Sequence, residues 1–357
     1  MRFGGKTLAA LTIGGLLASG LVVAAALSPG YEALHPELDD GSVWVANQDL
    51  DAVGRINTGI SGIDSVIALE GRASEIVQTE DTIVVLDRLA STLRVIDPVL
   101  GNLSDPVPIP AGADVLLEGD NAAVLDHATG DVWLMPSSEI GAFQTATPPT
   151  SALGEGAEAV LYGDYLYAAS PGLGSIVTIE IATGETINSD PVPMSPNDPQ
   201  LVVSANAAGW IVFDSVSGSL STPMWEISTD DPTLAIQVPA QNRGVVAASN
   251  EGLVRFSSSS GEATVLAGGT NSTPVRPLVI SGCIFGVWAE GAGIRQCGLE
   301  RNVLTFEGFE YSESLAIANR KNSLLLTSPE TGNSWTLGGE GVLVNDWGMS
   351  DPHQTLT

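Results

Sequence analysis

"IVVLDRLASTLRVID", residues 83–97, decides the fold. An apolar, β-branched run ends in an acid, crosses a short polar turn and returns as a second alternating run, which is the pattern of a β-hairpin. The same pattern recurs as "VWVANQDLDAVGRIN" from Val43, "AAVLDHATGDVWLM" from Ala122 and "YLYAASPGLGSIVTI" from Tyr165. It continues as "WIVFDSVSGSL" from Trp210, "VVAASNEGLVRF" from Val245, "CIFGVWAEGAGIRQC" from Cys283 and "SLLLTSPETGNSWTL" from Ser323. The residues ending the first strand of each copy are Asn47, Asp87, Asp126, Ser170, Asp214, Ser249, Ala289 and Ser328. They are spaced by 40, 39, 44, 44, 35, 40 and 39 residues.

A period of about 40–45 residues matches a four-stranded propeller blade. Seven of the hairpins follow another short apolar run: "SEIVQ", "ADVLL", "AEAVL", "QLVVS", "LAIQV", "PLVIS" and "SLAIA". These are the expected innermost strands around a central channel. The spacing therefore predicts an all-β chain folded as a β-propeller of eight blades over residues 40–348. Seven blades is the alternative, because the fifth and sixth copies are weak and lie 35 residues apart. Two packed sandwiches are a further possibility. The first copy lacks a preceding run and "EGVLVNDW" from Glu340 lacks a following hairpin, so Gly341–Val344 is expected to pair with the first blade and close the ring.

The two cysteines of the chain both lie in the seventh hairpin. A turn centred on Glu290 sets Val287 opposite Gly293, Phe285 opposite Arg295 and Cys283 opposite Cys297. Opposed Cβ atoms at a non-hydrogen-bonded site are about 4.5–5.5 Å apart, close enough to be bridged. A Cys283–Cys297 disulfide is expected, and such bonds persist outside the cytoplasm.

Residues 1–27 carry Arg2 and Lys6 and then run from Thr7 to Leu27 without a charge. At about 1.5 Å per residue that stretch reaches the roughly 30 Å of a hydrocarbon core. It reads as a signal-anchor transmembrane helix, with cleavage after Ala26 as the alternative that would release a secreted protein. Residues 28–39 read as a tether and 349–357 as a C-terminal tail. The basic start stays inside and the acidic remainder faces out, a single-pass cell-membrane protein with an extracellular propeller.

The formal charge is −29. Without Arg2 and Lys6, 11 Lys and Arg face 42 Asp and Glu, or −31. A surface of this sign repels phosphate backbones, which excludes nucleic acid as a partner. The chain has no G-x-S-x-G, H-E-x-x-H, G-x-x-x-x-G-K-[ST] or calcium-loop motif. Its histidines are His35, His127 and His353, and only His127 falls within the blades, in a hairpin turn. A lone turn histidine is commonly a solvated loop residue. No catalytic, cofactor-binding or metal residue is assigned and no cofactor is expected. Trp44, Trp133, Trp210, Trp288 and Trp335 fall on strands, where they are expected to fill the space between blades.

The run "PLVISGCIFGVWAEGAGIRQC", with "NSLLLTSPETGNSWTL" and "GVLVNDW" after it, resembles the N-terminal region of large actinobacterial cell-surface proteins that carry Ig-like or fibronectin type III repeats. The resemblance rests on Gly282, Cys283, Trp288 and Cys297, on Asn345, Asp346 and Trp347, and on Val43 to Asn57. It implies an anchor, a propeller-like segment and a surface role without catalytic residues. Ten residues follow Trp347 in this sequence, so the repeat array is not included. "VWVANQDLDAVGRIN" also looks like the repeat of extracellular propellers that include streptogramin lyases, which would need a histidine base beside an acid and a metal. The expected role is a non-enzymatic binding or scaffold module whose partner is a protein or glycan of the cell envelope. The alternative is a carbohydrate-active hydrolase or lyase with acidic residues at the channel mouth; it requires carboxylates, or His127 with a carboxylate, to converge in one polar pocket.

Overall fold

The computed structural model describes residues 41–350 apart from 73–74, 99, 310–314, 321–322 and 338–340. The chain divides into two units, Met1–Asp39 and Asp40–Thr357, and the described residues all belong to the second. The expected anchor and tether, and residues 351–357 of the expected tail, lie outside them. Among the described residues no helix is long and apolar enough to cross a membrane.

Eight antiparallel sheets follow one another along the chain, one for each hairpin copy. All seven expected innermost strands are present and pair with the first strand of their hairpins. They are Glu75–Gln78, Asp114–Glu118, Glu158–Tyr162, Leu201–Asn206, Ala235–Ile236, Leu278–Ile280 and Ala316–Arg320. The fold is an eight-bladed β-propeller, so seven blades and paired sandwiches are both set aside.

The polar residue that ends the first hairpin strand in six of the eight blades has a local reason. Its side chain accepts hydrogen bonds from the turn: Asn47 Oδ1 from Leu50 N (3.0 Å), Asp87 Oδ1 from Leu89 and Ala90 N (3.0 and 2.9 Å), Asp126 Oδ1 from Ala128 N (2.9 Å) and Asp214 Oδ1 from Val216 N (3.1 Å). Ser170 and Ser249 do the same with their hydroxyls. Side chains that cap turns in this way offer backbone N–H groups a partner where the ladder cannot.

The core is divided. The described residues form eight apolar clusters, each between two neighbouring blades. Trp44 packs with Ile83 and Ile96 between blades one and two, Trp133 with Leu86 and Leu93 between two and three, and Trp210 with Ile176 between four and five. Trp288 packs with Val246 between six and seven, and Trp335 with Phe285 between seven and eight. These five tryptophans are all nearly inaccessible to solvent, as expected of inter-blade filling.

Closure of the ring differs from the expectation. Leu343–Val344 pairs with Ser334 and Trp335, as the outermost strand of blade eight and not as part of blade one. A strand returning on its immediate predecessor closes a far shorter loop than one pairing across the whole chain. Blade one has three strands among the described residues, and Ser42–Asn47 is its innermost. The Gln78 side-chain amide takes the place of a ladder there: its Oε1 accepts from Trp44 N (3.1 Å) and its Nε2 donates to Trp44 O (2.9 Å). The seam between blades eight and one is apolar, with Val43, Val45 and Ile56 against Leu325, Val344 and Trp347. Gln48 N and Asp49 N donate across it to Pro329 O and Glu330 O (2.9 and 3.0 Å), and Asn47 Nδ2 donates to Thr331 O (2.7 Å). Trp347, in a short 3₁₀ turn (Trp347–Ser350), donates from its indole to Gly332 O (3.1 Å).

The cysteines are bridged as expected. Cys283 opposes Cys297, with Phe285 opposite Arg295 and Val287 opposite Gly293. The Cα atoms of the pair are 4.2 Å apart.

Candidate functional site

The inner strands enclose a central channel of about 690 Å³. Antiparallel pairing sets the start of an inner strand beside the end of the first hairpin strand, so the inner-strand start and the hairpin turn of blades two, three and four lie at the same rim. At this rim blades two, three and four begin their inner strands with Glu75, Asp114 and Glu158, while the capped turns of blades two and three present Arg88 and His127.

These five side chains form one chain of contacts across three blades. Arg88 Nη2 donates to Glu75 Oε2 (2.5 Å) and to Asp114 Oδ1 (2.9 Å), and Nη1 reaches Ala113 O. His127 Nε2 lies 3.1 Å from Asp114 Oδ2, and its Nδ1 lies 3.0 Å from Ala157 O and 3.4 Å from Glu158 Oε1. A carbonyl oxygen only accepts, so Nδ1 carries a proton. Side-chain exposures run from 27% to 46%, which makes this a wet rim and not a sealed core.

The electrostatics follow from the geometry. The hydrogen bond to Asp114 raises the His127 pKa most, burial opposes it, and Glu158 adds to the rise, leaving it at about 9. The ring is therefore an imidazolium at neutral pH. Burial pushes the Asp114 carboxyl up, but the hydrogen bonds and charges of His127 and Arg88 outweigh it and hold Asp114 below the usual range. Glu158 is raised, chiefly by burial and also by Asp114, against the pull of His127 and Arg276. Asp114, His127 and Glu158 each offer a ligand atom, all within 4.8 Å of one another, so a metal ion is chemically possible here.

Sequence reasoning placed His127 in a hairpin turn, where it is, but read it as a solvated loop residue. The structure corrects this, because the ring is held between two carboxylates and a backbone carbonyl. A readable signal existed. Glu75, Asp114 and Glu158 are spaced by 39 and 44 residues (114 − 75 and 158 − 114), matching the spacing of Asp87, Asp126 and Ser170. A carboxylate therefore recurs at one blade position in three consecutive repeats. The Cys283–Cys297 bridge belongs to blade seven and takes no part in this cluster. His35 and His353 lie outside the described residues.

No known protein family matches the chain, and no curated protein matches it. Solved structures similar to it include BamB from Moraxella catarrhalis, at 15% identity over 82% of this chain and 90% of that one, with a TM-score of 0.55. Apo AztD from Citrobacter koseri shares 13% identity over 83% and 91% of the two chains (TM-score 0.53). Virginiamycin B lyase from Staphylococcus aureus shares 9% over 72% and 91% (TM-score 0.52). At these identities the likeness concerns the fold.

Proposed function

We propose that this protein is a non-enzymatic binding module of the cell envelope: an extracellular propeller, held to the membrane by its N-terminal segment, that engages an envelope protein or glycan at one rim. One observation carries the reading. The rim bearing the charged cluster also presents apolar turn tips from four blades, Leu50, Leu89, Leu173 and Val216, which are 53%, 80%, 62% and 57% exposed. Apolar tips around a charged centre on a rigid ring suit a contact surface better than a solvated loop face. The resemblance to anchored surface proteins and the disulfide support the location, since such bonds persist outside the cytoplasm.

The test compares the full-length chain with its Leu89→Asp/Leu173→Asp/Val216→Asp variant for retention of envelope proteins and of purified envelope polysaccharide. These side chains are exposed, so thermal stability should be unchanged while retention is lost. Equal retention by both forms, or by neither, overturns the assignment of the rim. Protease shaving of intact cells tests the outward orientation: loss of the propeller is expected, and its full protection refutes the location.

A second reading, an extracellular hydrolase or lyase, is favoured by the convergence of Asp114, His127 and Glu158 on one polar rim. Polysaccharide turnover abolished by Glu158→Gln would establish it.

A further inference from the structure

We propose that Asp114, His127 and Glu158 form a binding site for a divalent first-row transition ion of the zinc type at the channel mouth. This stands independently of whether the rim engages a protein or a glycan. His127 Nε2 and Asp114 Oδ2 are 3.1 Å apart. An ion at about 2.1 Å from both would subtend about 95° between them, within the range of tetrahedral to octahedral coordination. The pair is thus already spaced as two neighbouring ligands.

Each of the two is also aimed from behind. Ala157 O occupies Nδ1 of the imidazole, which directs Nε2 toward the ion position, and Arg88 Nη2 occupies Asp114 Oδ1, which leaves Oδ2 for the ion. Metal-binding histidines characteristically give their second N–H to a carbonyl or carboxylate, and metal-binding carboxylates are held by a further hydrogen bond. Glu158 Oε1 lies 3.4 Å from Nδ1, on the other side of the ring, and rotation of its carboxylate toward Nε2 would complete the set, with channel water in the remaining positions.

The ligands come from the inner strand and hairpin of blade three and the inner strand of blade four, so an ion would pin two blades together. Charge balances among the five side chains of the rim, Arg276 standing outside the cluster on backbone carbonyls. Arg88 is matched by Glu75, and a divalent ion with neutral imidazole is matched by Asp114 and Glu158. The imidazole ligand favours a transition ion over calcium or magnesium, which prefer all-oxygen shells.

The experiment titrates the tag-free full-length chain, stripped with a chelator, with zinc chloride in a calorimeter. One equivalent is expected to bind. Asp114→Asn, His127→Gln and Glu158→Gln should each weaken it about tenfold or more, whereas Glu118→Gln, farther along the inner strand of blade three, should not. Binding that the three variants leave unchanged, or that Glu118→Gln weakens equally, overturns the site. Should a variant fail to fold, X-ray absorption of the zinc-loaded wild type decides: a shell with one imidazole and oxygen ligands supports the site, and a shell without imidazole, or no stoichiometric zinc, refutes it.

Discussion

If the chain's end closes the ring by packing, Trp347 and Gly54 must be energetically coupled. Trp347 is 5% exposed and lies over blade one, where an added Cβ on Gly54 would meet its ring at 2.8 and 2.9 Å. Its indole N–H donates to Gly332 O, and its ring crowds Gly332 as closely, at a backbone φ of +73°. Trp347→Ala empties a pocket bounded by Val43, Ile63 and Val344, and a buried Trp→Ala change costs about 3–5 kcal/mol. Gly54→Ala in the intact protein overpacks the same spot, at about 1–3 kcal/mol. In the Trp347→Ala background the added methyl enters vacated space and a strand glycine is replaced, so the cost should vanish or reverse. The coupling energy is thus about 1–3 kcal/mol, read from the urea midpoints of the two single variants and the double variant at matched slopes. Additivity within about 0.5 kcal/mol would refute the reasoning, because the ring would then not depend on the contact between its last aromatic residue and its first blade.

Three further outcomes are expected. Reducing Cys283–Cys297, or replacing both by Ser, opens a loop of sequence separation 14 and should lower stability by about 1–3 kcal/mol, toward the roughly 3 kcal/mol of the chain-entropy treatment; an unchanged urea midpoint under dithiothreitol contradicts this. The His127 pKa stands at about 9 in the folded protein, above its ordinary 6.5, so its stabilising effect is complete below pH 6.5 and is lost as pH rises through 9. The loss should be on the order of 1–3 kcal/mol, and His127→Gln should flatten the stability profile between those pH values. Gln78→Leu leaves the Trp44 N–H and C=O without their side-chain partner and should cost about 1–3 kcal/mol, with Gln78→Glu, which retains an acceptor for Trp44 N but no amide donor, falling between; a neutral Gln78→Leu would show that this edge needs no substitute ladder.

The hairpins were legible because each blade needs two alternating strands and a capped turn, and the capping residues Asn47, Asp87, Asp126, Ser170, Asp214 and Ser249 mark the period. The disulfide was legible because a hairpin fixes its own register. Closure was not. The contacts that join blade one to its two neighbours include side-chain amides, Gln78 of blade two on Trp44 and Asn47 on Thr331 of blade eight, and a side-chain amide leaves no periodic trace in a sequence. The charged rim was half legible: its acids recur at the blade period, but the contact between His127 and Asp114 depends on a turn and a strand start meeting at one rim, which follows only once the blade topology is known.

The use of cations explains why that rim stands apart. Past residue 30, ten of the eleven Lys and Arg residues are arginine, an unexpected economy if positive charge served only to offset 42 acids. Near the axis the inner strands of neighbouring blades line the channel, and an apolar side chain reaching across there would be exposed to water. An arginine fork can bridge them, because its planar donors reach several acceptors at once. Arg320 of blade eight donates to Ser42 Oγ of blade one (3.1 Å) and to Glu80 O beyond the inner strand of blade two (2.7 and 3.1 Å). Arg276, at the entry to blade seven, donates to Ile236 O and Gln237 O of blade six (3.0 and 3.1 Å) and to Val203 O of blade five (3.4 Å). These acceptors are backbone carbonyls and one serine hydroxyl, all neutral. Around blades two to four the stitching runs instead through Glu75, Arg88, Asp114, His127 and Glu158, where every member is ionisable. Neutral stitches would join those blades equally well, so the concentration of titratable groups there calls for a second role, and a histidine aimed at a carboxylate beside open water is suited to hold an exchangeable ion.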